Sequence, residues 1–278
     1  MNPISTTKQE TFKAGTDNLE FFNNRLVKMN NGALIFCCNG EAEITIDLKK
    51  YRIVPNTNIM LLPRSILSLT SASKDFQIHY FAYSEEIFKA ICFRFNPPFI
   101  HFLKENSCYT HTQAEPLRAI RGLIKASESI YKDKEHCYRE TIAQSLLQIF
   151  FLDTYDKVQK LFTPEQLEGS NRKDELFKKF ISLVHTYCTT QRDVTFYANQ
   201  LCISTRYLSA ITQQMGKDSA KEIIDAFLIL ELKVALQSTN LSLKEIADKY
   251  HFPDQSFFGR FFKKHTGMSP KTYRAAKS

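Results

Sequence analysis

The sequence predicts an α+β protein in two parts: an N-terminal β-barrel with an accessory helix pair, and a C-terminal all-α part with two helix-turn-helix motifs. Three observations predict this architecture. Short segments with an apolar period of two fill the first 85 residues, the period becomes helical from about residue 113, and a helix-turn-helix pattern occurs twice after residue 172. A chain of 278 residues has room for two domains. We expect them at residues 1–165 and 172–278.

The predicted strands are short and are separated by turn residues. The segment Glu41–Lys49 alternates apolar and polar residues, as a strand with one solvated face does, and Asn39-Gly40 before it predicts a tight hairpin turn. The other predicted strands are Ala33–Cys38, Tyr51–Val54, Asn58–Leu62, Ile66–Thr70 and Phe76–Tyr83. Short strands at such regular spacing are typical of a small barrel or sandwich.

Two amphipathic helices are predicted within about residues 113–158, and the second runs roughly from His136 to Lys157. Its apolar stripe consists of Ile142, Leu146, Ile149 and Phe150. Such a pair can pack on the barrel or against a copy of itself. The segment Leu161–Arg172 contains Thr163-Pro164 and Gly169-Ser170-Asn171, which predict a domain junction.

Composition excludes several classes of protein. With 43% hydrophobic and 24% charged residues, the chain is too apolar to remain disordered. No apolar run approaches the roughly 18 residues that a membrane span needs, and the N-terminus has no signal-peptide pattern, so we expect a soluble, cytoplasmic protein without a membrane partner. The seven cysteines lack zinc-site spacing. Cys37 and Cys38 are expected to be one core thiol and one outward thiol, with a redox switch as the alternative.

The net charge of +8 is concentrated at the C-terminal end. Residues 172–278 carry 17 Lys and Arg against 10 Asp and Glu, whereas residues 1–171 carry 20 against 19. This imbalance favours a polyanionic partner for the C-terminal part, although a lysine-rich solvated surface would give the same count.

The C-terminal part contains an internal near-repeat, each copy predicted as helix, tight turn and helix. Ser204 and Asp254 are placed to cap the second helix of each copy, and small Ala198 and Ala247 let that helix cross closely over the first. The apolar residues of these second helices are Tyr207, Leu208 and Ile211 in the first copy and Phe257, Phe258, Phe261 and Phe262 in the second. We assign the four phenylalanines to the core rather than to base stacking. A capping box is predicted where Ser242 precedes Glu245 by three residues.

A helix predicted over Ala220–Gln237 joins the two copies. Its length is about 26 Å at 1.5 Å per residue, and successive major-groove faces of B-DNA repeat at about 34 Å. Two short helices joined by such a rod could enter adjacent grooves on one side of a duplex. This geometry favours double-stranded DNA as the partner.

The segment Ser242–Arg274, SLKEIADKYHFPDQSFFGRFFKKHTGMSPKTYR, resembles the signature of AraC/XylS-type transcription regulators, and the resemblance covers roughly the last 100 residues. The matching elements are Ile246-Ala247, the Phe-x-Asp-Gln-Ser of Phe252–Ser256, the Phe-Lys-Lys of Phe262–Lys264 and the Thr-Gly-x-Ser-Pro-x-x-Tyr-Arg that ends at Arg274. The resemblance implies an activator that places one recognition helix of each unit in the major groove, contacts RNA polymerase and often forms a homodimer through its N-terminal helices. The N-terminal part resembles, less specifically, the cupin-like sensory domain of this family.

The resemblance also implies which side chains contact DNA. In the second unit Gln255, Ser256, Gly259 and Arg260 would face bases, and in the first unit Thr205, Arg206, Ser209, Ala210 and Gln213 would do so. Arg260 is the strongest of these, because a guanidinium can bind guanine O6 and N7 with two hydrogen bonds. Lys263 and Lys264 are expected to bind phosphates, which adds affinity without sequence information. The first set is mostly small or neutral, so we expect it to discriminate less.

The barrel is interpreted as a regulatory pocket for a small-molecule effector or as a scaffold without a ligand. The expected pocket residues are Phe36, Ile44, Ile46, Leu61, Ile78 and Tyr80. His79 is the single histidine of the strand region, so we expect a hydrogen-bonded structural residue, no metal, no cofactor and no enzyme. Two alternatives stay open: a DNA binder that needs no effector and whose barrel only dimerises, and a small-molecule enzyme built on the barrel.

Overall fold

The computed structural model describes residues 2–7, 9–92, 95, 97–161, 172–216 and 218–276. The chain divides into two compact units, residues 1–162 and 163–278. The predicted junction, Leu161–Arg172, lies almost entirely outside the described residues, so the expected boundaries at residues 165 and 172 stay a prediction. Among the helices that are described, none combines the length and the apolar character that crossing a membrane requires.

The N-terminal unit is built on two antiparallel sheets. Its strands are β1 (Phe12–Asp17), β2 (Val27–Lys28), β3 (Gly32–Asn39), β4 (Ala42–Ile46), β5 (Lys49–Ile53), β6 (Thr57–Leu61), β7 (Ile66–Ala72), β8 (Gln77–Tyr83) and β9 (Cys108–Thr110). One sheet has the order β1-β8-β3-β6-β9 and the other β2-β7-β4-β5. Strands that alternate in this way between two facing sheets form a jelly roll, the architecture of cupins. The predicted α+β fold class is thereby confirmed.

The structure corrects two details of the strand prediction. The segment Glu41–Lys49 is not one strand, because β4 ends at Ile46, Asp47 has a positive φ of 54° and Leu48 is 51% exposed in the turn before β5. The turn at Asn39-Gly40 is not a hairpin, because β3 and β4 belong to different sheets. The turn still requires glycine: Gly40 has a φ of 70°, and a Cβ there would lie 2.6 Å from the backbone of Phe76.

The α-helices described in this unit are α1 (Glu85–Cys92) and α2 (Pro97–Glu105), which precede β9, and α3 (Ala114–Lys132) and α4 (Arg139–Leu161), which follow it. They cover the outer face of the five-stranded sheet, where Leu34, Phe81 and Tyr83 form a second core with Leu147 and Phe151 of α4. Of the two arrangements left open for the predicted helix pair, packing on the barrel is therefore confirmed. Ile149 is 61% exposed and lies outside this core, contrary to its place on the predicted stripe, since the stripe that is buried runs through Ala143, Leu147, Phe151 and Val158.

The C-terminal unit is helical. Its helices are α5 (Arg172–Tyr187), α6 (Val194–Gln200), α7 (Thr205–Gly216), α8 (Ala220–Ser238), α9 (Leu243–Lys249), α10 (Gln255–Thr266) and α11 (Pro270–Ala275). Two buried clusters hold them together. The first includes Phe180, Tyr197, Leu208 and Ile224, and the second includes Leu232, Ile246, Phe258 and Phe262. Because α8 contributes to both clusters, it is the shared support of the two helix pairs α6-α7 and α9-α10.

Candidate nucleic-acid interface

The two helix pairs turn in the same way. The amide of Ile203 donates to the carbonyl of Ala198 at 3.0 Å, and the amide of Phe252 donates to the carbonyl of Ala247 at 2.8 Å. In each pair the residue before this amide has a left-handed backbone, with a φ of 53° at Cys202 and 54° at His251. Both alanines are fully buried. The structure therefore contains two copies of the same helix-turn-helix, as the near-repeat predicted.

The predicted caps fix where the second helix of each pair begins. The Ser204 hydroxyl accepts a hydrogen bond from the amide of Tyr207 at 3.1 Å, and the Asp254 carboxylate accepts one from the amide of Phe257 at 2.7 Å. Each cap satisfies a backbone amide that has no partner within the helix. The predicted capping box is also present, with Ser242 and Glu245 bonded to each other's backbone amides at the start of α9. Sequence and geometry agree on the position of both second helices.

The connecting helix α8 has 19 residues, which gives a length of about 28 Å. It starts with a second capping box, in which the Ser219 hydroxyl and the Glu222 carboxylate bond each other's backbone amides. Its N-terminal half packs on the first pair through Ala220, Ile223 and Ile224, and its C-terminal half on the second pair. The helix predicted between the two motifs is therefore present, and its residues are part of the buried cores of both motifs.

Helix α10 has one buried and one exposed face. Phe258 and Phe262 are fully buried. The exposed face carries the residues predicted to meet DNA: Gln255, Ser256, Arg260, Lys263 and Lys264 are exposed and Gly259 is half-buried. A Cβ added at Gly259 would meet no atom within 4 Å, so this position is a gap in the surface. The arrangement brings all six predicted residues to one accessible surface, and their individual roles stay predictions.

Phe257 differs from the core assignment made from the sequence. Its side chain is 43% exposed, while Phe261 is partly buried. The Arg260 guanidinium lies 5.8 Å from the centroid of the Phe257 ring, within cation–π range. At about 100° per residue the four phenylalanines cover an arc of about 140°, with Phe257 at one edge and Phe262 at the other. The spacing therefore indicates that an edge of the stripe is exposed but not which of the two.

Helix α7 presents a smaller exposed face. Thr205, Arg206, Ala210 and Gln213 are exposed, and Ser209 is half-buried. The Ser209 hydroxyl donates to the carbonyl of Thr205 at 2.9 Å, so its proton is already used within the helix. Leu208 and Ile211 are fully buried below this face. Arg206 is the one charged side chain of α7.

The charge of both exposed faces suits a polyanion. Neither Thr205–Gly216 nor Gln255–Thr266 contains Asp or Glu, whereas Arg206, Arg260, Lys263 and Lys264 add positive charge. Acidic groups are instead found at caps and in buried pairs, such as Asp254 and Asp225. Two acid-free helices with exposed basic and amide side chains are able to contact phosphates and base edges.

The remaining motif residues stabilise the end of the unit. Gly267 ends α10 in a left-handed conformation with a φ of 77°, and Ser269 caps α11. The Arg274 guanidinium donates to the carbonyl of Leu236 at 3.2 Å and to that of Leu241 at 2.7 Å, and the Tyr273 hydroxyl accepts from the Gln237 amide at 3.2 Å. The motif that carries the family resemblance therefore describes mainly the scaffold.

In the barrel, five of the six predicted pocket residues face the interior. Ile44, Ile46, Leu61, Ile78 and Tyr80 belong to one buried core. Phe36 does not: strand residues alternate between faces, and since Ile35 and Cys37 face the interior, Phe36 faces α3, with the Arg121 guanidinium 6.0 Å from its ring. Its place in the predicted pocket is corrected accordingly.

His79 lies beside Phe36 on that outer face. Its Nδ1 lies 2.6 Å from the Glu128 carboxylate of α3, so the expectation of a hydrogen-bonded histidine is confirmed. In the part of the chain that the structure describes, no group of three or more His, Cys, Asp and Glu side chains is arranged to hold a metal ion. Cys37 is buried and Cys38 partly exposed, as expected for neighbours on a strand, and burial raises the pKa of the Cys37 thiol to about 11.

Two helix-turn-helix units on one buried connecting helix define a class of domain, the double helix-turn-helix domain. Comparison with known families agrees, since residues 197–276 match the family model described as a helix-turn-helix domain. The arabinose operon regulatory protein of Escherichia coli (strain K12) is 28% identical over 138 residues, which cover 50% of this chain and 45% of that protein. The C-terminal part is thus a helix-turn-helix domain of the AraC type, and the resemblance inferred from its motif is confirmed.

A second relative from Escherichia coli (strain K12) is YijO, described as an uncharacterized HTH-type transcriptional regulator. It is 30% identical over 112 residues, which cover 39% of this chain and 38% of that protein. The chain therefore matches less than half of the length of these two curated relatives. Among solved structures, ToxT from Vibrio cholerae superimposes with a TM-score of 0.51 and 17% identity over 97% of this chain and 100% of that chain. At this identity the similarity concerns the fold alone, and it extends over both units.

Proposed function

We propose that this protein is a sequence-specific DNA-binding transcription regulator whose helices α7 and α10 enter adjacent major grooves of one duplex. The observation that carries the proposal is the pair of exposed, acid-free helices held on the same connecting helix. A connector of about 28 Å is compatible with a groove repeat of about 34 Å. The expected partner is therefore double-stranded DNA with two half-sites about one helical turn apart.

The two helices contribute differently to recognition in this proposal. Arg260 binds guanine, and Gln255, Ser256 and Gly259 allow neighbouring bases to approach. Lys263 and Lys264 bind phosphates and contribute affinity that falls with salt. On α7, Arg206 is the side chain best suited to a base, while Thr205, Ser209, Ala210 and Gln213 are small or neutral. The half-site bound by α10 is therefore expected to show the stronger preference for particular bases.

The N-terminal unit is proposed to dimerise the protein. Three exposed apolar side chains lie on or next to α4: Tyr138 directly precedes the helix, and Ile149 and Leu152 lie in its middle. An exposed apolar surface of this kind is typical of a protein interface. The five interior residues of the barrel belong to one packed core. The proposal that the barrel binds a small-molecule effector therefore rests on the family resemblance. The proposal that the protein activates transcription through RNA polymerase rests on the same resemblance.

The test of the proposal is DNA binding by the full chain. From a pool of duplexes with a randomised segment, the protein is expected to enrich a site with two separate half-sites. Its affinity for that site falls by about 10³- to 10⁵-fold between 50 and 200 mM salt if 6 to 10 phosphates are contacted. Electrophoretic mobility shifts on the enriched site measure this fall. An unenriched pool, or an affinity that does not change with salt, would contradict the proposal.

A further inference from the structure

Arg192 links the two helix-turn-helix units, although it belongs to the first. It lies in the loop between α5 and α6. Its guanidinium donates to the carbonyl of Tyr250, and its central carbon lies 3.7 Å from the centroid of the Phe252 ring. Tyr250 ends α9 and Phe252 follows it in the turn before α10. One side chain of the first unit thus contacts both the backbone and an aromatic ring at the turn of the second.

A buried carboxylate reinforces this link. The side chain of Asp225 in α8 is 9% exposed, and its two oxygens face basic groups of different elements: Lys221 Nζ lies 2.8 Å from Oδ1, and His265 Nε2 at the end of α10 lies 3.7 Å from Oδ2. Lys221 Nζ also donates to the carbonyl of Arg192 at 3.3 Å. Burial lowers the pKa of Arg192, whereas the charge of Asp225 raises it. A desolvated cation remains charged when it has such partners.

The link matters because the two units have separate cores. The cluster around Tyr197 and Leu208 and the cluster around Phe258 and Phe262 have no buried residue in common among those described. The helix α8 sets the distance between the units. It does not by itself fix how far each unit is rotated about the axis of α8, so the side chains that connect the units must determine that angle. Arg192 connects them through its hydrogen bond to the Tyr250 carbonyl and its contact with the Phe252 ring, and Asp225 does so through its ion pair with His265. The hydrogen bond and the ring contact constrain angles as well as distances.

We propose that Arg192 is a positioning residue that fixes the angle between α7 and α10 and thereby sets the spacing of the two half-sites that the protein accepts. This inference rests on the proposed function as a DNA binder. Arg192 acts through Phe252 and Tyr250 and contacts no base. Its loss therefore changes the tolerance for spacing more than the choice of bases within each half-site.

The experiment uses the full chain and the site enriched by the wild-type protein. One base pair is inserted into or removed from the segment between the two half-sites, which shifts one half-site by about 3.4 Å and rotates it by about a tenth of a turn. The wild-type protein is expected to lose about tenfold or more in affinity for either altered site. Arg192→Lys keeps the positive charge beside Asp225 but has no planar face to stack on Phe252, and it is expected to lose about twofold.

Two further variants make the outcome specific. Asp225→Asn leaves Arg192 intact and weakens the same link, so it is expected to relax the spacing preference in the same direction. Arg172→Gln removes an exposed positive charge at the start of α5 and is expected to keep the wild-type preference. Selection from randomised half-sites is expected to give the same bases for Arg192→Lys as for the wild type.

Each outcome decides a different point. A wild-type protein that binds no duplex contradicts the proposed function itself. A wild-type protein with a strict spacing preference that Arg192→Lys and Asp225→Asn both retain overturns the positioning role. The same holds if Arg192→Lys no longer unfolds cooperatively on heating, because Arg192 would then be required for folding and not for the angle between the units.

Discussion

At the scale of single residues, the exposed face of α10 separates two kinds of contact. Arg260 has a planar, bidentate donor group and lies beside the Phe257 ring, while Lys264 is an exposed flexible ammonium one turn further along. The first is suited to a base and the second to a phosphate. Their substitution by alanine therefore has distinguishable effects.

Arg260→Ala is expected to relax the preference for one base pair by about 1 to 3 kcal/mol of discrimination. Lys264→Ala is expected to weaken binding almost equally for all sequences and to reduce the salt dependence by about one phosphate contact. Binding of each variant to a set of sites with single substitutions, at two salt concentrations, measures both quantities. Equal effects of the two variants on base preference would refute the assignment.

The chemistry of individual residues was predictable where a local rule decides it. The caps at Ser204 and Asp254 follow from short-range hydrogen bonding. Phe257 and Arg192 were not predictable in this way. The environment of Phe257 depends on which flank of the helix the neighbouring turn covers, and the partners of Arg192 lie 58 and 60 positions further along the chain.

At the scale of elements, the two turns are strained in the same place. Cys202 and His251 occupy left-handed backbone conformations without being glycine, and the side chain of His251 is exposed. A non-glycine residue in this conformation costs about 1 kcal/mol or somewhat more. Gly267 occupies a similar conformation at the end of α10, and space is open around it. His251 and Gly267 therefore form a matched pair of positions at which a substitution tests the energy of the left-handed backbone conformation.

His251→Gly is expected to raise the free energy of unfolding by up to about 1 kcal/mol, since it relieves strain and removes no buried contact, although the unfolded chain gains some entropy. Gly267→Ala is expected to lower it by about 1 kcal/mol, because the added Cβ meets only the backbone penalty. Thermal or urea unfolding of the full chain measures both. Changes of the same sign in the two variants would contradict this explanation.

Periodicity predicted the middle of the barrel well and its edges poorly. Each of the six predicted strands overlaps an observed strand, but β1, β2 and β9 and the helices α1 and α2 were not predicted. The strand β1 has the sequence FKAGTD, in which only Phe12 and Ala14 are buried, and β2 and β9 are too short to show a period. Their structure depends on pairing with strands elsewhere in the chain, as β1 does with β8.

At the scale of the whole molecule, the proposed dimer makes the exposed surface of α4 testable. Ile149→Glu places a charge at a position that is 61% exposed, so the fold of one chain is not affected, whereas burial of an unpaired carboxylate in an interface is costly. The variant is expected to weaken dimerisation at least about tenfold. Gln159→Glu, at an exposed position of the same helix, makes the same addition of charge and serves as the control.

Sedimentation equilibrium of the full chain over a range of concentrations measures this effect. A wild-type chain that stays monomeric up to about 100 μM, corresponding to less than about 5.5 kcal/mol of association free energy, would contradict the dimer. So would a dimer that Ile149→Glu leaves unchanged. The result bears on the DNA site as well, because a dimer in which each chain contacts two half-sites would protect a longer stretch of DNA than a monomer.

The gap at Gly259 gives the molecule room to acquire new targets. Glycine in the middle of a helix forgoes about 1 kcal/mol of helix propensity relative to alanine, and a Cβ introduced at Gly259 would meet no atom within 4 Å. Substitution at this one position could therefore add a contact to a base pair while the scaffold, its caps and its connecting rod remain as they are. Under the proposed function, a protein built in this way acquires new DNA sites by single substitutions that need no compensation elsewhere in the fold.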